Sequence, residues 1–192
     1  MKVVSMSGSL RENVGKKDAK QLRKADLVPC VLYGGKQEQI RFSVPQKEFK
    51  PLLFTPDTHY VELSIEGKQF MAILQEIQYH PVSDEVLHAD FLQIFNDKPI
   101  TVSVPIKTIG TAPGVLQGGK LEVKIRKMKL KGLPDILPQY VEIDVSKLEI
   151  AQSVKVEDIV IEKAEILNVK SSIVVWVKPT RNSAKATTTG EA

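Results

Sequence analysis

Apolar and polar residues alternate along short stretches of the chain, and this alternation predicts β-strands. Every second residue is apolar in segments 40–44 and 61–65, which is typical of half-buried strands. The turn at 66–68 and the following run Phe70–Tyr79 predict a hairpin, and Val86–Phe95 adds another strand. Before these, Lys2–Met6 predicts a short strand that is expected to end at the polar and glycine residues 7–9.

Helical periodicity interrupts this pattern near the N-terminus. Residues 15–26 place Ala19, Leu22 and Ala25 on one side of a predicted helix. The other side carries four basic residues within about 100° of arc, namely Lys16, Lys20, Arg23 and Lys24. Pro45 is expected to open a short second helix.

The strand pattern continues beyond residue 99. Ile100–Ile106 and Leu121–Ile125 alternate, but Met128 and Leu130 are out of phase by one residue, so a bulge is expected near residues 126–127. Four further strands are predicted, at Val141–Val145, Val154–Val156, Ile159–Ile161 and Ile173–Val177.

These elements predict a mainly β protein with a few helices, in the α+β class. A small β-barrel with helices is expected over residues 1–97, because closure removes the exposed edges of a sheet. A β-rich domain is expected over 98–178, and the tail at 179–192 has no large apolar residue and is expected to be disordered. A shift in composition near 97–99 supports this boundary.

Composition excludes several classes of protein. Hydrophobic residues make up 42% and charged residues 26% of the 192 residues, as in ordinary globular proteins. The longest stretch without a charge has 12 residues, Thr108–Gly119, whereas a membrane-spanning helix needs about 20 apolar residues. With no apolar run of signal-peptide length and a single cysteine, Cys30, the expected compartment is the cytoplasm.

Charge is distributed unevenly and points to a polyanionic partner. The net charge is +4, but residues 1–50 hold 11 Lys and Arg against 5 Asp and Glu, whereas residues 51–99 hold 2 against 8. Residues 10–24 alone contain six basic and two acidic side chains. A charged outer face is common on surface helices, yet the lack of balancing acids favours phosphate ligands over pairing within the helix.

Two patterns resemble catalytic or metal sites, and neither is complete. Gly114–Lys120 has the spacing of a phosphate-binding loop, but Leu121 stands where a hydroxyl is needed and a strand follows where a helix is needed. His80, His88 and Asp90 lack the third or fourth convergent ligand of a zinc site, and Cys30 is expected to be buried. We therefore expect no enzyme, no cofactor and no metal.

A basic tract in the second half allows two interpretations. Five basic residues and no acid lie within positions 124–131, and Lys127, Lys129 and Lys131 alternate with apolar residues. Such lysines protect the edge strands of sheets from pairing with other chains. Alternatively, the row makes a second contact with a polyanion such as RNA, besides the basic residues of the predicted helix, since a strand would place all three amines on one face.

Specific motifs also resemble those of a known family. In the first half they are Leu10-Arg11, Gly15-Lys16, Leu22-Arg23, Pro29, Val31–Gly35, Gln75, Gln78, His80-Pro81 and His88–Phe91. In this order they resemble the bacterial large-subunit ribosomal proteins that bind 5S rRNA. The second half resembles the long members of that family, the general stress protein Ctc group, through Pro113–Val115, Gly118-Gly119, Leu133-Pro134, Pro138, Val141–Val145 and Leu148.

The resemblance implies a structural protein of the large subunit whose barrel docks on 5S rRNA. By matching position, the phosphate contacts would be Arg11, Lys16, Lys20 and Arg23. The sheet surface facing the RNA would carry Tyr33, Gln75, Tyr79, His88 and Asp90. This chain departs from the family pattern at four positions, Lys17, Asp18, Gln21 and Tyr79, so their contacts with RNA stay open.

An alternative function is a stress-induced ribosome-associated or assembly factor whose second domain binds another protein. On the main interpretation, the second domain contacts neighbouring ribosomal proteins or other rRNA. Association with the large subunit under all conditions would support the structural ribosomal protein. Association only under stress or in precursors would support the stress-induced or assembly factor.

Overall fold

The computed structural model describes residues 2–35, 38–53, 55, 57–161 and 164–180. The chain divides into two units, one formed by residues 1–100 with 133–135 and the other by 101–132 with 136–192. Strands predominate in both units and the helices are short, which confirms the expected mainly β class. Of the tail expected to be disordered, residues 181–192 lie outside the described residues.

In the part of the chain that the structure describes, six strands form the sheet of the first unit: β1 (Lys2–Leu10), β2 (Leu27–Tyr33), β3 (Ile40–Pro45), β4 (His59–Ile65), β5 (Lys68–Tyr79) and β6 (Val86–Gln93). They close into a barrel in the order β1-β3-β2-β6-β5-β4, as expected. β1 pairs with β4 and β2 with β6 in parallel, and the other four pairings are antiparallel.

Two short helical segments accompany the barrel. Helix α1 spans Lys16–Lys24, and the chain then turns at Asp26, whose φ of 56° lies in the left-handed region. A 3-10 turn at Gln46–Phe49 continues directly into α2 at Lys50–Leu53. The helix predicted to follow Pro45 is therefore confirmed.

Three phenylalanine side chains pack together in the core of the barrel. Phe42, Phe49 and Phe91 are buried to within 1% exposure. The ring of Phe91 lies 5.9 Å from that of Phe42 and 6.4 Å from that of Phe49, in tilted arrangements that aromatic pairs favour. Because alternate residues of every strand point into this core, the remaining ones form the outer surface of the barrel.

The first strand is longer than predicted. The prediction that residues 7–9 end it is wrong, because β1 pairs with β4 from Lys2 as far as Gly8 and with β3 at Ser9 and Leu10. A side chain at Gly8 would place its Cβ 2.7 Å from Cδ2 of Phe42. Gly8 therefore makes room for a core ring and does not mark a turn.

The second unit, in its described residues, contains two sheets. Their strands are β7 (Ile100–Ile109), β8 (Lys120–Val123), β9 (Lys127–Gly132), β10 (Val141–Asp144), β11 (Ser153–Lys155), β12 (Glu165–Ile166) and β13 (Ile173–Lys178), with the short helix α3 (Pro113–Leu116) and a 3-10 turn at Val156–Asp158. One sheet has the order β10-β7-β9-β12 and the other β11-β13-β8.

Two strand predictions in this unit are wrong. The change of phase near residue 126 is not a bulge, because β8 and β9 belong to different sheets. The amide of Lys124 still donates to Val174, whereas the carbonyl of Arg126 already accepts from Ile106 in the other sheet. Residues 159–161 form no strand, since alternation by itself does not supply a neighbouring strand.

We predict that Gly8→Val lowers the free energy of unfolding by about 1–3 kcal/mol, because the new side chain overlaps the buried ring of Phe42. Urea unfolding measures this change. Ser5→Val is the matched control on the exposed side of β1, where the change should stay within about 0.5 kcal/mol. Equal effects of the two variants would contradict the assigned role of Gly8.

Candidate nucleic-acid interface

The outer faces of three neighbouring strands, β2, β6 and β5, carry most of the predicted sheet residues. Ala89 and Phe91 are fully buried, so the alternate residues of β6, His88 and Asp90, lie on the outer face. Tyr33 lies on the outer face of β2, whose residues pair in parallel with those of β6. The period of two therefore brings these three side chains onto one surface.

His88 and Asp90 contact each other directly. His88 Nδ1 lies 3.0 Å from Oδ1 of Asp90, and both side chains are about 30% exposed. The carboxylate can accept a hydrogen bond from Nδ1–H, which fixes the tautomer and orientation of the ring. Nε2 of His88 then remains as the ring nitrogen available to a ligand.

Burial is the largest cause that raises the pKa of Tyr33, and the negative charges of Asp90 and Glu76 raise it further. The phenol therefore stays protonated at neutral pH and can donate a hydrogen bond. Glu76 pairs in register with Asp90, so the face carries two carboxylates side by side. Glu76 is not among the residues predicted from the sequence for this surface.

Gln75 and Tyr79 are exposed, but they do not occupy the positions on the outer face of β5 that regular alternation would give them. Gln75 is the extra residue of a β-bulge immediately before Glu76. Tyr79 pairs with the buried Val86 at the end of β5 and is 46% exposed there. Because of the bulge, the residues of β5 that point outward beside β6 are Glu76 and Gln78. The alternation in the sequence does not reveal this bulge, so it was not predicted.

Helix α1 lies beside this sheet face. Arg23 Nε donates a hydrogen bond of 3.0 Å to the carbonyl of Leu87. Leu87 is left unpaired where the ladder shifts, since Gln78 pairs with His88 but Tyr79 pairs with Val86. Lys16 and Lys20 on the same helix are exposed, as expected for the basic face.

Arg11 has a different environment from the other predicted phosphate contacts. Its Nε lies 2.6 Å from Oδ2 of Asp18, and its side chain is only 12% exposed. This ion pair connects the segment after β1 to α1, and it explains the acidic residue in an otherwise basic helix. Lys17 and Gln21 are exposed on the same helix.

In Gly114–Lys120, the segment that resembles a phosphate-binding loop, several backbone amides donate hydrogen bonds to carbonyl groups of the protein itself. The amides of Gly118 and Gly119 donate to carbonyls of Val115 and Gly114, and the amide of Gly114 donates to Leu148. A Cβ at Gly114 would lie 2.6 Å from the backbone of residue 149. These glycines therefore serve close packing. The strand predicted at Leu121–Ile125 is β8, which spans Lys120–Val123.

The other candidate residues have structural contacts. His80 Nδ1 accepts hydrogen bonds from the amides of Val82 and Ser83 and so caps a turn. Cys30 is 1% exposed, and burial raises the pKa of its thiol, which confirms the expected buried position.

Across the described ranges, no three His, Cys, Asp or Glu side chains form a group that could hold a metal. None of the described helices is both long and apolar enough to cross a membrane.

Comparison with known proteins finds matches in both halves of the chain. Residues 6–91 match the Ribosomal L25p family, and residues 99–181 match the C-terminal domain of ribosomal protein TL5. The chain is 42% identical to large ribosomal subunit protein bL25 of Azobacteroides pseudotrichonymphae, over 95% of this chain and 97% of that protein. It is 44% identical to bL25 of Christiangramia forsetii over 95% and 83%, and 42% identical to bL25 of Phocaeicola vulgatus over 98% of each chain.

The barrel, the second β-rich unit and these matches define a structural, non-enzymatic ribosomal protein. The chain belongs to the Ribosomal L25p family, in the long form that carries a second domain. The family resemblance found in the sequence is therefore confirmed.

We predict that Asp90→Asn lowers the pKa of Tyr33, because a neighbouring negative charge is removed. The pKa should stay above the ordinary tyrosine value, since burial is the larger cause and is unchanged. NMR titration of the tyrosine rings, assigned with Tyr33→Phe, measures the shift. Asp84→Asn is the reciprocal control and should lower the pKa of Tyr79 instead; an unchanged Tyr33 titration in Asp90→Asn would contradict the proximity of the two groups.

Proposed function

We propose that this protein binds 5S rRNA in the large ribosomal subunit, in the cytoplasm, through one continuous surface of the barrel. That surface comprises α1 and the outer faces of β2, β6 and β5. The hydrogen bond from Arg23 to Leu87 supports this most directly, because it holds the basic helix beside the strand that carries His88 and Asp90. Residues 1–97 form the RNA-binding domain in this proposal.

Phosphate contacts are assigned to the helix. Lys16 and Lys20 are exposed, and Arg23 keeps its terminal guanidinium nitrogens for a phosphate while Nε binds Leu87. Arg11 positions the helix through Asp18, and its remaining guanidinium donors are assigned to a phosphate. Such contacts supply affinity without reading the sequence.

The sheet face recognises RNA in another way. Asp90 and Glu76 disfavour phosphates at this place, so the face suits the wide, shallow minor groove with its 2′-hydroxyls and base edges. Carboxylates accept hydrogen bonds from hydroxyl and amino groups, while Tyr33 and His88 donate or accept them. Gln75 and Tyr79 complete the rim of this face.

The second domain, residues 98–178, makes additional contacts in the assembled subunit, with neighbouring ribosomal proteins or other rRNA. A gel-shift titration of the full chain against 5S rRNA and an unrelated RNA duplex of equal length tests the proposal. Clear preference for 5S rRNA is expected, and equal affinity for both would contradict it. Sedimentation with large subunits during both growth and stress separates this function from a stress-induced assembly factor, which would associate only under stress or with precursors.

We predict that the salt dependence of binding separates the helix from the sheet. Lys20→Ala should reduce the slope of log K against log salt by somewhat under one unit, because one phosphate contact is lost, by analogy with roughly 0.7–0.9 per contact on nucleic acids. His88→Ala should weaken binding at every salt concentration with nearly the same slope as the wild type.

Lys50→Ala in α2 is the matched control, because Lys50 is an exposed lysine of the same unit outside the proposed surface. It should change neither affinity nor slope. A slope change for His88→Ala as large as that for Lys20→Ala would contradict the assignment of His88 to the sheet contacts.

A further inference from the structure

The second unit presents a row of three lysines along β9. Lys127, Lys129 and Lys131 are exposed, while Met128 and Leu130 between them are fully buried. Alternate residues of a strand lie roughly 6.7 Å apart. The three amines are therefore carried at even spacing on one face of a strand.

Protection of a sheet edge does not explain this row, because β9 is covered on both sides. The sheet order places it between β7 and β12. On one side the amide of Ile106 donates to the carbonyl of Arg126, next to the start of β9, and on the other the amide of Leu167 donates to Lys129. An interior strand needs no lysines to prevent pairing with another chain.

Neighbouring acids do not neutralise the row. Lys131 lies 3.8 Å from Glu165, but both side chains are about half exposed or more, and such surface pairs contribute little. Lys127 and Lys129 have no carboxylate partner within the described ranges. Most of the positive charge therefore remains available to a ligand.

The backbone that carries the row is held in place. The amide of Lys129 donates a 2.7 Å hydrogen bond to Oδ1 of Asn168. Met128 and Leu130 anchor the strand in the core at 0% exposure. A ligand that binds the amines has to order only the side chains, which lowers the entropic cost of binding.

We propose that Lys127, Lys129 and Lys131 bind the phosphate backbone of an rRNA segment outside 5S rRNA. This inference rests on the proposed placement in the large subunit. RNA is favoured over an acidic protein, because protein interfaces are depleted in lysine and centre on buried apolar or aromatic side chains. The row presents three amines at a spacing comparable to that of successive phosphates along a nucleic-acid strand.

The first experiment reverses the charge of the row. Labelled full-length protein carrying Lys127→Glu, Lys129→Glu and Lys131→Glu is titrated onto large subunits stripped of this protein at several salt concentrations. The slope of log K against log salt should fall by roughly two to three units. Binding to isolated 5S rRNA should equal that of the wild type. An unchanged slope, or an equal loss on isolated 5S rRNA, would overturn the inference.

Two controls separate charge from folding and from the proposed function. Reversal of Lys120, Lys147 and Lys170, three exposed lysines of the same unit outside the row, should leave the slope nearly unchanged. Lys127→Gln with Lys129→Gln and Lys131→Gln removes the charge without adding repulsion, and should reproduce the reduced slope with a wild-type circular dichroism spectrum. If the wild type itself fails to bind the stripped subunits, the proposed function fails, independently of the row.

The second experiment identifies the partner. Cys30 is buried, so Lys129→Cys supplies the one accessible thiol of the sequence for attachment of a photo-crosslinker. Crosslinking within the large subunit should yield an adduct with rRNA other than 5S rRNA. Adducts with 5S rRNA alone or with ribosomal protein alone would overturn the inference.

Discussion

Closure of the barrel by the parallel pairing of β1 with β4 is the constraint on which the first unit depends. A closed sheet has no exposed edge, and every strand acquires one side toward the core and one toward solvent. Phe91 is buried in the core, so its neighbours on β6, Asp90 and Leu92, lie on the outer side. The packing of the core therefore determines which residues remain on the outer surface, where RNA binding is proposed.

An irregularity in the barrel connects this surface to the basic helix. Where β5 and β6 shift register, Leu87 is left without a ladder partner and its carbonyl accepts the hydrogen bond from Arg23. Positive charge on the helix and the carboxylates Glu76 and Asp90 on the sheet are thus adjacent but separate. This separation suits a ligand with phosphates on one side and a groove of hydroxyls and base edges on the other.

In the second unit, the alternation of buried and exposed residues along a strand determines the position of the lysine row. The chain leaves one sheet after β8 and enters another at β9, so two consecutive strands do not share a sheet. Within β9 the buried Met128 and Leu130 fix the lysines between and beside them on the outer side. Apolar packing therefore orients the charge, and neighbouring strands on both sides hold it in position.

The sequence alone determined the features that depend on local periodicity, namely the strands at 40–44 and 61–65 and the basic helix. Ordered motifs also identified the family. The tertiary structure decided which strands are neighbours, and with that the bulge that brings Glu76 to the surface and the cover on both sides of β9. It also decided that Arg11 pairs with Asp18. These features rest on contacts between distant strands or on the folding of the chain around a turn. Alternation and helical periodicity relate only residues that are two to four positions apart in the sequence, so they cannot predict such contacts.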